Sequence, residues 1–159
     1  MKKLLSLSVL ASALVLSACG GGGSEDAADK YVGTWLSKCH SYVGNDSKTY
    51  FRRTTRVISK SSATEINSTH VQKNAYSEAT CNTIDISNTW TYNSGKFNLG
   101  KSVTFLGAIS DEVVYTDLVT NATNPGFMTV SGGQLYISTY VATDGLPTSW
   151  GNRSPYTKQ

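Results

Sequence analysis

Few residues in this chain could carry chemistry: three cysteines, two histidines and a small set of scattered acids. Cys39, His40, His70 and Cys81 would together supply the thiolate and imidazole ligands that zinc prefers. Neighbouring residues on a strand point to opposite faces, however, which keeps Cys39 and His40 from reaching one ion. An even pair of cysteines in an oxidising compartment favours a disulfide instead. We therefore predict a Cys39–Cys81 disulfide, no metal site and no cofactor.

Catalysis has little support in the sequence. Only His40 and His70 could act as imidazole bases, and no Gly-x-Ser-x-Gly segment offers a serine nucleophile. The acids that could assist them are expected at turns or at strand positions that face solvent: Asp85, Asp111, Glu112, Asp117 and Asp144. We therefore predict that the protein is not an enzyme.

One cluster of positive charge occurs in the segment YFRRTTR, residues 50–56. If this segment is a strand, alternation places Arg52 and Arg56 on one face and Arg53 on the other. Facing outward, the arginines would form a soluble strand surface. Facing inward, a guanidinium would offer paired donors to a carboxylate or phosphate. The sequence leaves both orientations open and makes Arg52 and Arg56 candidate ligand-binding residues.

The elements that must position these residues have the period of β-strands. Alternation is clearest in TIDISNTWTY, residues 83–92, where four apolar side chains share one face. Turn-forming segments, among them residues 93–95 and 124–126, separate most of the predicted strands. About eight strands are predicted: residues 32–40, 48–60, 63–72, 82–92, 97–107, 112–120, 127–131 and 134–141.

Hairpin-length connections between these strands predict an all-β fold with a single antiparallel meander. A lone sheet of this kind would leave two exposed edges, whereas closure into a barrel removes them. The first prediction is therefore a small closed β-barrel, and the alternative is a β-sandwich.

The N-terminus predicts an export signal over residues 1–18. Lys2 and Lys3 are followed by an apolar run over residues 4–16, which is too short to span a bilayer as a helix. The segment LSAC, ending at Cys19, resembles the lipobox of bacterial lipoproteins. That resemblance implies that Cys19 becomes the first mature residue and is acylated.

Residues 19–30 then form a lipidated cysteine and a linker, in which GGGGS is typical of a flexible spacer. Residues 31–159 have the length of one domain with a modest core. The formal net charge of +3 arises from 14 basic and 11 acidic residues, and Lys2 and Lys3 fall in the predicted signal. The remaining charges nearly balance, so nucleic acid is not an expected partner.

The segment YVGTW contains Gly33-Thr34-Trp35, which is similar to the Gly-x-Trp signature of lipocalin and avidin-like barrels. The resemblance implies a calycin-like barrel in which Trp35 closes one end beneath a ligand cavity. An arginine often packs on that tryptophan, and Arg153 lies at the corresponding place in the chain. Residues 131–136, SGGQLY, faintly resemble a segment that membrane-bound lysozyme inhibitors insert into the lysozyme cleft.

Together these features predict a lipoprotein of the outer membrane with a non-catalytic interaction role in the envelope. The domain is predicted to face the periplasm, and exposure at the cell surface is the alternative. By resemblance to other lipoproteins, Gly20 after the acylated cysteine implies sorting to the outer membrane. The expected partners are the membrane, through the lipid anchor, and a small molecule or an envelope protein. The first alternative is a carrier of a small apolar or anionic ligand, bound near Trp35, Arg52 and Arg56. The second is a protein similar to the lysozyme inhibitors.

Overall fold

The computed structural model describes residues 25–76, 78–82, 89–138, 149–151 and 154–159. These residues form one 3₁₀ turn, Asp29–Tyr31, and nine strands. None of them belongs to a helix long and apolar enough to cross a membrane. In chain order the strands are β1 Gly33–Ser37, β2 His40–Val43, β3 Thr49–Lys60, β4 Glu65–Tyr76, β5 Thr89–Phe105, β6 Ala108–Asp117, β7 Thr123–Ser131, β8 Gln134–Ser138 and β9 Tyr156–Lys158.

The strands form one antiparallel sheet that closes on itself. Consecutive strands from β3 to β9 are paired, β9 pairs with β1, and β1 pairs with β3. Eight strands therefore build the wall, and β2 is an additional strand that pairs with the first part of β3. Closure satisfies backbone groups that an open sheet would leave unpaired at its edges. The predicted antiparallel barrel is confirmed, and the fold is not a sandwich.

Two predicted turns are wrong, because they lie inside strands. Residues 93–95 belong to β5, and residues 124–126 belong to β7. Gly95 has φ 150° beside a register shift between Ser68 and Thr69, so this glycine serves a β-bulge. The long strand β5 therefore includes the end of the predicted strand 82–92 and most of the predicted strand 97–107. Residues 83–88 lie outside the described part of the chain.

The first and last parts of the wall also differ from the prediction. The predicted strand over residues 32–40 is two strands, since β1 ends at Ser37 and β2 begins at His40. The short strand β9 was not predicted, yet it pairs with both β8 and β1. Three residues are too few to show a clear alternation in sequence. This strand nevertheless completes the wall.

The hydrophobic core lies at the end of the barrel that the 3₁₀ turn crosses, which we call the closed end. The Ala28 amide donates a hydrogen bond to the Ala63 carbonyl there, at 3.2 Å. The largest buried side chains come from this turn and from alternate positions of the strands: Tyr31, Trp35, Ile58, Ile66, Phe97, Met128 and Leu135. Their alternation identifies the inner face of each strand.

The opposite end of the barrel carries the predicted disulfide, and we call it the disulfide end. Cys39 lies between β1 and β2, and Cys81 follows β4. The two residues are bonded, with 5.7 Å between their Cα atoms and a sequence separation of 42. The bond therefore ties the corner of the first two strands to the connection that leads towards β5.

The hairpin between β5 and β6 has a two-residue turn, Leu106–Gly107. Both residues have positive φ, 48° and 79°, as in the type I′ turn that suits a two-residue hairpin. Asn, Asp and Gly are favoured at such positions, and an ordinary side chain there costs about 1–2 kcal/mol. Leu106 is 55 % exposed, and Ile109 in the same hairpin is 74 % exposed. Two large apolar side chains thus face solvent at this tip.

Candidate functional site

Trp35 lies at the closed end and is 1 % exposed. Its indole Nε1 donates a hydrogen bond of 2.8 Å to the Tyr31 carbonyl. Lys158 is its cross-strand neighbour on β9 and holds its Nζ 5.4 Å from the centre of the indole ring. Arg153, the predicted partner of this tryptophan, lies outside the described residues. The arrangement makes Trp35 a plug of the core and is compatible with a calycin-like barrel, but it does not identify one.

Asp111 joins the 3₁₀ turn to the wall of the barrel. It is 1 % exposed, although the sequence predicted a solvent-facing or turn position, and that prediction is wrong. The Lys30 Nζ lies 2.8 Å from its Oδ2, and the Tyr31 hydroxyl lies 2.9 Å from the same oxygen. The Ser102 hydroxyl donates a 2.6 Å hydrogen bond to Oδ1. Both carboxylate oxygens are therefore engaged.

The ionised form of Asp111 is stabilised despite its burial. Burial by itself would raise the pKa of this carboxyl, but hydrogen bonds from Lys30, Ser102 and Tyr31 lower it below its usual value. Burial and the nearby carboxylate raise the pKa of Tyr31 far above its usual value. Asp111 shares its strand face with Val113 and Tyr115, and this alternation in the sequence was the signal for its burial.

Arg56 lies inside the barrel. It is 6 % exposed and is the cross-strand neighbour of Trp35 on one side and of His70 on the other. Its Nη1 donates a 2.8 Å hydrogen bond to the Ser68 hydroxyl, and Ser68 is 3 % exposed. The sequence left open whether Arg52 and Arg56 face inward or outward. Arg56 faces inward.

Aromatic rings surround the Arg56 guanidinium. Its Cζ lies 5.6 Å from the centre of the Phe97 ring and 5.7 Å from that of Tyr156. Aromatic faces attract a cation, which offsets part of the cost of removing the guanidinium from water. Its positive charge also acts on Tyr115, whose pKa is nevertheless raised by burial and by Asp117. Arg56 therefore places positive charge within the wall of the barrel.

Arg52 lies on the same strand face as Arg56 but nearer the disulfide end. It is half-buried, and its Cζ lies 3.5 Å from the centre of the Tyr42 ring. Arg53 lies on the other face and directs its Nη2 to the Thr80 carbonyl, at 3.4 Å. The predicted alternation of this strand is thus observed, and it brings Arg52 and Arg56 to one side.

The histidines are on β2 and β4, each opposite an arginine of β3. His40 is the cross-strand neighbour of Arg52, and His70 is that of Arg56. Cys39 is bonded to Cys81, so these four residues do not combine as a ligand set. The described residues contain no group of three or more histidines, cysteines and acids arranged to hold a metal ion.

Two further features of the barrel are a hairpin turn that the sequence predicted and a pocket in the wall that it did not. Residues 131–136 form the β7–β8 hairpin with the two-residue turn Gly132–Gly133, as their glycines indicate. The sequence did not predict a pocket of about 370 Å³ between β5, β6 and β7, which is lined by Asn98, Leu99, Gly100, Glu112, Val113, Val114, Pro125 and Gly126.

The fold and these contacts define a small antiparallel β-barrel with a plugged end, an internal arginine and a disulfide at the other end. Comparison with protein-family models, with curated proteins and with solved structures finds no match to this chain. The function must therefore be argued from the residues themselves.

Proposed function

We propose that the chain is a lipid-anchored envelope protein whose barrel has a non-catalytic interaction role. The observation that supports this role is the packing of the barrel's own side chains within its closed end, with Tyr31, Trp35 and Phe97 almost fully buried. An eight-stranded barrel has an interior just wide enough for its side chains to fill. A barrel whose interior is filled by its own side chains would present its outer surface and its rims to partners.

The anchor is supported by the signal-like N-terminus and the LSAC segment, which place an acyl-carrying Cys19 six residues before Glu25. Acyl chains on one cysteine would hold the domain at the membrane, because each buried methylene contributes about 0.8 kcal/mol. Gly20 supports sorting to the outer membrane, facing the periplasm, by resemblance to other lipoproteins.

Metabolic labelling tests the anchor. The full chain, expressed in a diderm bacterium with labelled palmitate, should incorporate label and fractionate with outer membranes. Cys19→Ala should abolish labelling. The matched control is the double variant Cys39→Ala/Cys81→Ala, which removes the other two cysteines and should keep the label. Equal labelling of Cys19→Ala, or an unlabelled parent chain, would refute lipidation at this residue.

A carrier of a small anion is the second candidate, and the position of Arg56 favours it. A guanidinium inside the wall, hydrogen-bonded to the Ser68 hydroxyl, resembles the few polar groups that orient a ligand in an otherwise apolar site. Its fork of donors suits a carboxylate or a phosphate. Arg52 lies on the same face and would add a second positive charge on the side of the disulfide end.

Native mass spectrometry separates the two candidates. The domain from Glu25, exported behind a cleavable signal without a lipid, is measured for bound small molecules. A filled interaction module should have the mass of the chain alone. A carrier should retain an anionic molecule that is lost in Arg56→Lys and kept in Arg53→Lys, since Arg53 lies on the outer face.

A further inference from the structure

We propose that the tip of the β5–β6 hairpin, carrying Leu106 and Ile109, contacts the phospholipid surface beside the anchor. This contact rests on the proposed acylation of Cys19 and adds a second, non-covalent attachment to it. It would fix which end of the barrel faces the membrane and leave the disulfide end directed towards the periplasm.

The first support is the chemistry of the tip. Leu106 and Ile109 expose 55 % and 74 % of their surface, and neither exposed side chain contributes much to the core. Leu106 also has φ 48°, a conformation in which asparagine or glycine would be less strained. Leucine at this turn is thus unfavourable for both solubility and backbone conformation. An apolar surface outside the chain explains the choice of residue, because it would cover both side chains.

The second support is the direction of the hairpin. Ser102 and Asp111 are paired across β5 and β6, and Asp111 meets the hydroxyl of Tyr31, which comes from the 3₁₀ turn at the closed end. Four further residues lead from Ser102 to Leu106, a distance of about 13 Å along an extended strand. The tip therefore lies at the closed end of the barrel.

The third support is the position from which the anchor would emerge. Lys60 lies 2.8 Å from Asp29 and also pairs with Asp26, so the start of the described chain is held at the closed end. Six residues from Cys19 to Glu25 span at most about 20 Å in any conformation. An acyl group in the bilayer thus keeps the closed end near the lipid headgroups, within reach of the hairpin tip.

A lipid surface is the occupant that these distances favour. The tip offers two aliphatic side chains, which can enter the apolar boundary beneath the headgroups. Such a contact is weak by itself, but the anchor makes it intramolecular and raises the effective concentration of lipid at the tip. Hydrophobic side chains and tether would therefore act together.

Tryptophan fluorescence measures the contact in the full acylated chain. Ile109→Trp is reconstituted in vesicles of phosphatidylethanolamine and phosphatidylglycerol, with or without bromine on the acyl chains. The matched control is Val119→Trp, in the turn between β6 and β7 at the disulfide end, where the native residue is 77 % exposed. The parent chain supplies the background emission, and near-ultraviolet circular dichroism checks that each variant is folded.

We expect brominated lipid to quench the added emission of Ile109→Trp and to leave that of Val119→Trp unchanged. Leu106→Asn, combined with Ile109→Trp, should reduce the quenching. Equal quenching at both positions, or none in a chain whose mass shows acylation, would overturn the hairpin contact while leaving the anchor intact. A chain whose mass shows no acyl group at Cys19 would instead overturn the anchor, and with it this contact.

Discussion

Removal of the Cys39–Cys81 bond should lower the stability of the domain by an amount that follows from its place in the chain. The bond closes a loop of 42 residues. In the chain-entropy description, a loop of this length restricts the unfolded chain by about 4 kcal/mol. That is a large share of the 5–15 kcal/mol that is typical of a whole domain.

The double variant Cys39→Ala/Cys81→Ala is compared with the parent by urea denaturation of the domain from Glu25. The free energy of unfolding should fall by about 4 kcal/mol, and the melting temperature by about 10–15 °C for a domain of this size. Reduction of the parent with a thiol reagent should have the same effect and is the control for the loss of the side chains. A loss below about 1 kcal/mol would refute the argument from loop length.

Three further predictions concern single residues and are measured by the same denaturation assay. Asp111→Asn should cost about 2 kcal/mol, because the charge-assisted contacts of its carboxylate with Lys30 of the 3₁₀ turn and with Ser102 of β5 are lost. The pKa of Asp111 is lower in the folded state than in the unfolded state. Its contribution to the free energy of unfolding is therefore complete above its unfolded pKa of about 3.9 and is lost as pH falls through the lower folded value. Asp111→Asn should make the free energy of unfolding fall less steeply in acid, and an unchanged dependence on pH would contradict this prediction. Gly95→Ala should lower the free energy of unfolding by about 2 kcal/mol, because its φ is 150° and the new Cβ would collide with the Thr116 carbonyl. The control is Gly132→Ala, whose Cβ would meet nothing within 4 Å and which should cost only about 1 kcal/mol. Leu106→Asn should raise stability by up to about 1 kcal/mol, since asparagine tolerates the positive φ of the turn; a loss of stability there would show that the leucine supports the fold.

The strand pattern was readable because a period of two residues is a local property. Alternation on β3 correctly separated Arg53 from Arg52 and Arg56. It did not say which face was inside, because both faces of that strand carry polar residues. The barrel decides this through the neighbouring strand: Trp35 faces the core, and the register of β1 against β3 places Arg56 opposite it on the same face.

Glycine and acid positions were harder to interpret, because one residue type serves several geometries. Gly95 suits a hairpin turn as well as a bulge, and only its pairing with both neighbouring strands shows the bulge. Asp111 was predicted at a turn or at a strand position that faces solvent. Its burial depends on Lys30, which lies 81 positions away in sequence and approaches only when the 3₁₀ turn crosses the closed end.

The sequence by itself determined the all-β class, the alternation of the strands and the cysteine pair. These follow from side-chain order along one segment and from the count of cysteines in the domain. Only the tertiary structure decided that β9 completes the wall, that Arg56 and Asp111 are inside, and that the turn carrying Leu106 lies at the closed end. Those properties depend on contacts between segments that are distant in sequence, and such contacts are fixed only when the barrel closes.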